Sequence, residues 1–150
     1  MGITIRQTTN YPWDLLLLAD PSREIVEEYI HTSDCIIALS DNKTLGVVVV
    51  QKQTPEMAEI MNLAVDESFQ RKGIARRLMQ YISNKWAPAN DMKRLKVCTG
   101  TSGAGPLMLY QQEGFDLKEL DRDYFVRTYP EPIWENGIQC RHRIILEKEL

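Results

Sequence analysis

At 150 residues the chain suits one domain, residues 1–150, with a real buried core, and its 43% hydrophobic and 26% charged residues are ordinary for a globular protein. A net charge of −3 excludes a global basic field that would recruit nucleic acid. The longest apolar runs, 15–19 and 45–50, are too short to span a bilayer, and residues 1–20 lack a signal-peptide pattern, so no membrane partner and a cytoplasmic location are expected.

Residues 3–7 alternate and read as a first strand. Tyr11-Pro12-Trp13 opens a short helix through Leu18. Asp20-Pro21 reads as an N-cap and first-turn proline for a second helix, which runs to about Ile30. Residues 35–39, 45–53 and 57–65 read as three strands of an antiparallel meander, and Gly46 marks a bulge or plain turn chemistry. From Gly73 to about Trp86, Ile74, Leu78, Tyr81 and Ile82 form the stripe of a helix packed on a sheet, which Pro88 should end. Residues 95–99 are a strand reached by that helical crossover, so it should lie parallel to its predecessor. A glycine-rich loop, 100–105, leads to a short helix from Pro106 to near Gly114. Strands follow at 115–120 and 138–146, joined by the connection 121–137. The sum is an α/β sheet of mixed strand direction with helices on both faces.

The most telling stretch is 62–75, where an apolar strand runs through a polar turn into Gln70-Arg71-Lys72-Gly73-Ile74-Ala75 and a long helix. The first N–H groups of a helix lack partners inside it and, with the dipole, attract an anion. Gly73 tolerates unusual dihedrals, and Arg71 and Lys72 add charge, so a pyrophosphate is the natural guest. Neither a Gly-Lys-Ser/Thr loop nor Gly-x-Gly-x-x-Gly is present there. Cys35, Cys98 and Cys140 are odd in number and widely spaced, and read as free thiols. With only His31 and His142 beside them, no metal site is expected.

Gln70-x-x-Gly73-x-Ala75 after Leu63-Ala64-Val65 resembles the acetyl-coenzyme A loop of the GNAT superfamily of N-acetyltransferases, and the element order matches that family along the whole chain. The resemblance implies a mostly antiparallel sheet with one splayed parallel strand pair. Pantetheine would bond to the exposed backbone of Leu63, Ala64 and Val65 in the manner of an added strand. The Leu63 N–H would polarise the acetyl carbonyl. Gln70 and the main chain from Arg71 through Lys72, Gly73, Ile74 and Ala75 to Arg76 would wrap the pyrophosphate. Tyr110, in Leu109-Tyr110-Gln111-Gln112-Glu113-Gly114-Phe115, matches the family's general acid beside the coenzyme A sulfur. Glu59 stands where the histone-acetylating branch carries its general base, although many members use water chains instead. Thr101 or Ser102 stands near the position where many members place a pantetheine-binding asparagine.

The acceptor side is implied less closely. Tyr124, Phe125, Tyr129 and Trp134, with Glu131 and Glu135, could wall a pocket for a cationic amine. Equally, these aromatics could anchor the connection to the core or to a second copy. Trp13 and residues 11–32 would form the other wall by family analogy. The stretch 121–137 resembles a bacterial subgroup of uncharacterised GNAT proteins. The expected activity is direct, ternary-complex transfer from acetyl-coenzyme A to a primary amine, a small molecule being favoured, in a possible homodimer. Cys98 lies in a strand with no histidine near it in sequence, which argues against a covalent acyl-enzyme. A coenzyme A-binding sensor without turnover is the alternative.

Overall fold

Valine- and isoleucine-rich segments build the sheet, and the amphipathic segments between them cover it. The computed structural model describes residues 2–150. In chain order the elements are β1 (Thr4–Thr8), α1 (Trp13–Ala19), α2 (Arg23–Ile30), β2 (Asp34–Ser40), β3 (Lys43–Lys52) and β4 (Met57–Val65). A single 3-10 turn, Glu67–Phe69, precedes α3 (Ile74–Tyr81), which continues through a π-type segment, Ile82–Trp86, into α4 (Ala87–Ala89). Then come β5 (Arg94–Gly100), α5 (Gly105–Gln112), β6 (Asp116–Asp121), α6 (Tyr124–Thr128), the short pair β7 (Trp134–Glu135) and β8 (Ile138–Gln139), and β9 (Arg143–Glu149).

Seven strands form one sheet in the order β1-β2-β3-β4-β5-β9-β6. The expected meander is present, since β2, β3 and β4 pair antiparallel in sequence. Among the described residues only β4 and β5 pair in parallel, as a helical crossover requires. Strand β3 is buried from Leu45 to Val50 because both faces are covered. Val48 and Val50 pack with Ile74, Leu78 and Ile82 of the crossover helix. Val47 and Val49 pack on the other face with Leu16, Val26 and Ile30 of α1 and α2.

Several boundaries differ from the sequence reading for identifiable reasons. Ser22, not Asp20, caps α2, its hydroxyl accepting from the Ile25 N–H at 3.3 Å. The Asp20 carboxylate is instead engaged by two tyrosines. Pro88 lies inside the crossover helix rather than after it. It has no N–H to give, and the wide turn ahead of it accommodates the missing bond. The connection 121–137 folds into α6 and one arm of the β7–β8 hairpin, so the last sheet strand begins at Arg143 rather than Ile138. The hairpin turns at Asn136 and Gly137, both at positive φ (53° and 79°), the conformation that an Asn-Gly pair favours.

Two bulges shape the middle of the sheet. Ala38 faces Gly46 while Leu39 faces Thr44, leaving Leu45 extra on β3. A Cβ on Gly46 would sit 3.1 Å from Ile74 Cγ2, 3.1 Å from Leu78 Cδ1 and 3.2 Å from the Ala64 carbonyl oxygen. The glycine thus lets the crossover helix close on the sheet. The second bulge lies in β4, where Val50 faces Ile60 and Val49 faces Asn62, leaving Met61 unpaired. Gly46→Val should therefore destabilise the fold by about 1–3 kcal/mol through overpacking, read as a lowered urea midpoint. An unchanged midpoint would show that the helix can move away at no cost.

Candidate active site

Pairing between β4 and β5 covers only Met57–Ile60 against Arg94–Val97. Beyond that, β4 continues along β3 to Val65, while β5 continues along β9 to Gly100. The two strands separate, and the β5-side edge of Leu63, Ala64 and Val65 has no strand partner among the described residues. The Met61 bulge adds a second consequence, because an extra residue reverses which face the following side chains take. Ala58 and Ile60 pack under the crossover helix before it, and Leu63 and Val65 after it. Glu59 and Asn62, although an odd number of residues apart, consequently share the opposite wall.

On the crossover-helix side the gap widens into a cleft of about 580 Å³. Leu63, Ala64 and Val65 line it, with Gln70, Arg71, Gly73, Ile74, Ala75 and Arg76 at the helix start. Arg71 and Gly73 both take left-handed backbone, at φ 62° and 80°. Nothing lies within 4 Å of a Cβ built on Gly73, so its conformation, not lack of room, calls for glycine. The Gln70 amide donates to the Val65 carbonyl at 3.1 Å and ties the loop to the strand end. The Arg76 side chain is held by Glu113 (3.0 Å) and Gln112 (2.9 Å). Lys72 does not line the cleft, and its ammonium lies 5.4 Å from the Phe69 ring centroid.

The opposite side opens into a second cavity of about 760 Å³. Leu63, Pro106 and Tyr110 line both spaces, so the two meet through the gap. Tyr110 is 7% exposed and packs near Phe115. Burial, helped by the nearby Cys98, pushes its phenol up to about 12, so it stays protonated at neutral pH. Glu59 lines the second cavity, 3.6 Å from the Lys96 ammonium, and accepts a long 3.9 Å contact from the Cys98 thiol. Burial, then the Glu59 charge, pushes Cys98 up to about 11, so at neutral pH it is a thiol rather than a nucleophilic thiolate.

Of the aromatics singled out in the sequence, Tyr124, Phe125 and Tyr129 line this cavity, Tyr124 meeting Phe125 edge-on at 86° and Phe125 tilted at 38° to Tyr129 just past the end of α6. Glu135 lines it too, while Glu131 does not. Trp134 is 66% exposed and outside it. Trp13 is also outside, under the Arg23 guanidinium at 4.0 Å. Thr101 and Ser102 line neither space. The Ser102 hydroxyl donates to Glu135 at 2.8 Å and its carbonyl accepts from Asn136 at 2.9 Å, so the residue fastens the β7–β8 hairpin.

Sequence reasoning missed Asp20, Asn62 and Arg143. Asp20 is buried in the cavity wall, where its Oδ1 accepts from the Tyr129 hydroxyl (2.9 Å) and the Ser22 N–H (3.2 Å), and its Oδ2 accepts from the Tyr29 hydroxyl (3.5 Å). Arg143 bonds Asp121 at 3.0 Å and lies 3.7 Å over the Tyr124 ring. Asp-Pro before a helix mimics a cap, and partners 109 residues apart, as Asp20 and Tyr129 are, leave no local signal.

Residues 31–117 match the sequence model of the family described as an acetyltransferase (GNAT) domain. The chain is 41% identical to YvbK, an uncharacterised N-acetyltransferase of Bacillus subtilis, over 96% of this chain and 92% of that protein. A GNAT family acetyltransferase from Elizabethkingia anophelis, solved with acetyl-CoA bound, superposes with a TM-score of 0.94 at 41% identity, covering 99% of this chain and 98% of that one. A Bacillus subtilis acetyltransferase in complex with CoA superposes at 0.91 with 38% identity, covering 99% of each chain.

Burial is the largest influence on Asp20 and raises its pKa above the ordinary carboxylate value. The folded state then binds the proton more tightly than the unfolded chain, so this group's contribution falls as pH rises from about 4 through its folded pKa. Asp20→Asn keeps the shape and removes the charge. Its melting temperature should exceed wild type at pH 7.5, and the gain should shrink toward pH 4.5, as read by thermal denaturation. A variant less stable than wild type at pH 7.5 would show that the charge is stabilising.

Proposed function

The chain belongs to the GNAT family of acetyltransferases, and we propose that it transfers an acetyl group from acetyl-coenzyme A directly to a primary amine in a ternary complex. One observation carries this reading: the open β4 edge lies between two cavities that meet at Leu63, Pro106 and Tyr110. An extended pantetheine suits an unpaired strand edge, whose N–H and C=O groups need partners. The left-handed turn at Arg71 and Gly73 and the free N–H groups of α3 suit a pyrophosphate. That the relatives above are solved with acetyl-CoA or CoA supports the assignment.

Each residue's part follows from its place. The Leu63 N–H, donating to the acetyl oxygen, stabilises the charge that develops there as the amine nitrogen bonds to carbon. Glu59, directly or through water, takes the proton that the amine must lose. Tyr110 gives its hydroxyl proton toward the sulfur as the carbon–sulfur bond breaks. The burial that raises the phenol's pKa keeps the proton on Tyr110 until negative charge develops on the sulfur. Gln70 holds the Val65 end of the strand in place, and Arg71 adds charge at the pyrophosphate. A neutral Cys98 supports direct transfer over a covalent acyl-enzyme.

Tyr110→Phe should lower kcat for thiol release by about 100-fold with the KM for acetyl-coenzyme A little changed. An unchanged kcat would remove the general-acid role. Glu59→Gln should cost more at pH 6.5 than at pH 8.5, where more of the amine is already free of its proton. A loss independent of pH would make Glu59 a structural group.

A further inference from the structure

We propose that Asp20 anchors a second cationic group on the acceptor, so that the amine acetylated belongs to a dication such as an alkyl diamine or polyamine. The reacting end of that molecule rests on the transferase reading above; the anchored end rests on the following observations.

Asp20 is 8% exposed and lines the acceptor-side cavity. Taking a carboxylate out of water is costly unless a cation or several donors compensate. Of the other carboxylates on this cavity, Glu59 is paired with Lys96, whereas Glu28 and Glu135 have no cation among the described residues but are exposed to water. Among the described residues no cation lies within salt-bridge distance of Asp20. Its three donors are neutral, and the one on Oδ2 is long at 3.5 Å. An ionised carboxylate has about four acceptor sites, so room remains for another donor.

Asn62 supplies an independent observation. It is 5% exposed and lines the same cavity. Its Nδ2 donates to the Leu16 carbonyl (3.0 Å) and to the Tyr29 hydroxyl (3.1 Å), which fixes Oδ1 as the acceptor. Oδ1 is buried and has no donor among the described residues. Such an orphan is rare and costly. The hydrogen bonds therefore run from Asn62 through Tyr29 to Asp20, and the chain has a donorless acceptor at one end and, at the other, a carboxylate with room for one more donor. An ammonium is the complement, with three donors and no acceptor. The rings of Phe125 and Tyr129 on the same cavity add faces that attract a cation. An anionic tail would look to Arg143, but that charge is already bonded to Asp121 and stacked on Tyr124.

The test compares 1,5-diaminopentane with pentylamine, and 1,4-diaminobutane with butylamine, near pH 7. Thiol release gives kcat/KM for each, and calorimetry on the coenzyme A-loaded protein gives affinity without turnover. Wild type should favour the better diamine over its matched monoamine by about 10- to 100-fold in both readouts. Asp20→Asn should erase that preference and leave the monoamine values in place. Wild type without a diamine preference overturns the proposal, whatever the variant does, and so does a variant that lowers both amines in parallel. Asp20-dependent diamine binding without thiol release would uphold the anchor and sink the transferase reading. Acetylation indifferent to Asp20 would do the reverse.

Discussion

Strand β4 leaves β5 after Ile60, and from there the backbone of Leu63, Ala64 and Val65 faces a cleft instead of a partner. A strand edge inside a sheet is unusual, because backbone N–H and C=O groups away from water must be satisfied. The gap persists because each strand is secured on its other side, β4 by β3 as far as Val65 and β5 by β9 as far as Gly100. Helices α3 and α5 stand at its mouth and bring Gly73 and Tyr110 to the two ends of one passage. Core packing holds this arrangement in place, with Gly46 admitting Ile74 and Leu78 close against the sheet.

The two mouths differ in charge. The cleft at the start of α3 presents Arg71 and free N–H groups, which suit a polyanion. The far cavity presents Asp20, Glu59 and Glu135 against Arg143, whose charge Asp121 already answers. Acetyl-coenzyme A and an amine would thus be sorted to opposite sides of the sheet by electrostatics, and would meet only at Leu63 and Tyr110. The β4 bulge at Met61 is what puts Glu59 and Asn62 on the acceptor wall together.

Much of this was legible in the residues, and the exceptions have physical causes. The meander, the parallel β4–β5 pair and the crossover helix follow from periodicity and from the handedness of connections. The turn at residues 70–75 carries its own chemistry, and the structure places most of it on the cleft. Lys72, Thr101, Ser102, Trp13 and Trp134 were singled out by local pattern or family position and fall outside both spaces. Side-chain direction in a loop depends on contacts that no local pattern records, as the Ser102–Glu135 bond illustrates. The hairpin at Asn136-Gly137 did have a local signal, the strongest short-range one for a tight turn, hidden within a stretch read as a single long connection. Asp20 and Asn62 were beyond reach, since their environment is assembled from α1, α2, β4 and α6 only after folding.

Amide hydrogen exchange with and without acetyl-coenzyme A tests the central claim most directly. An edge completed by the cofactor should show slowed exchange within residues 63–65 and across 73–76, with little change at Met57–Ile60, which β5 already pairs. Unchanged exchange at both sites under saturating acetyl-coenzyme A, or slowing confined to residues 121–137, would contradict the account.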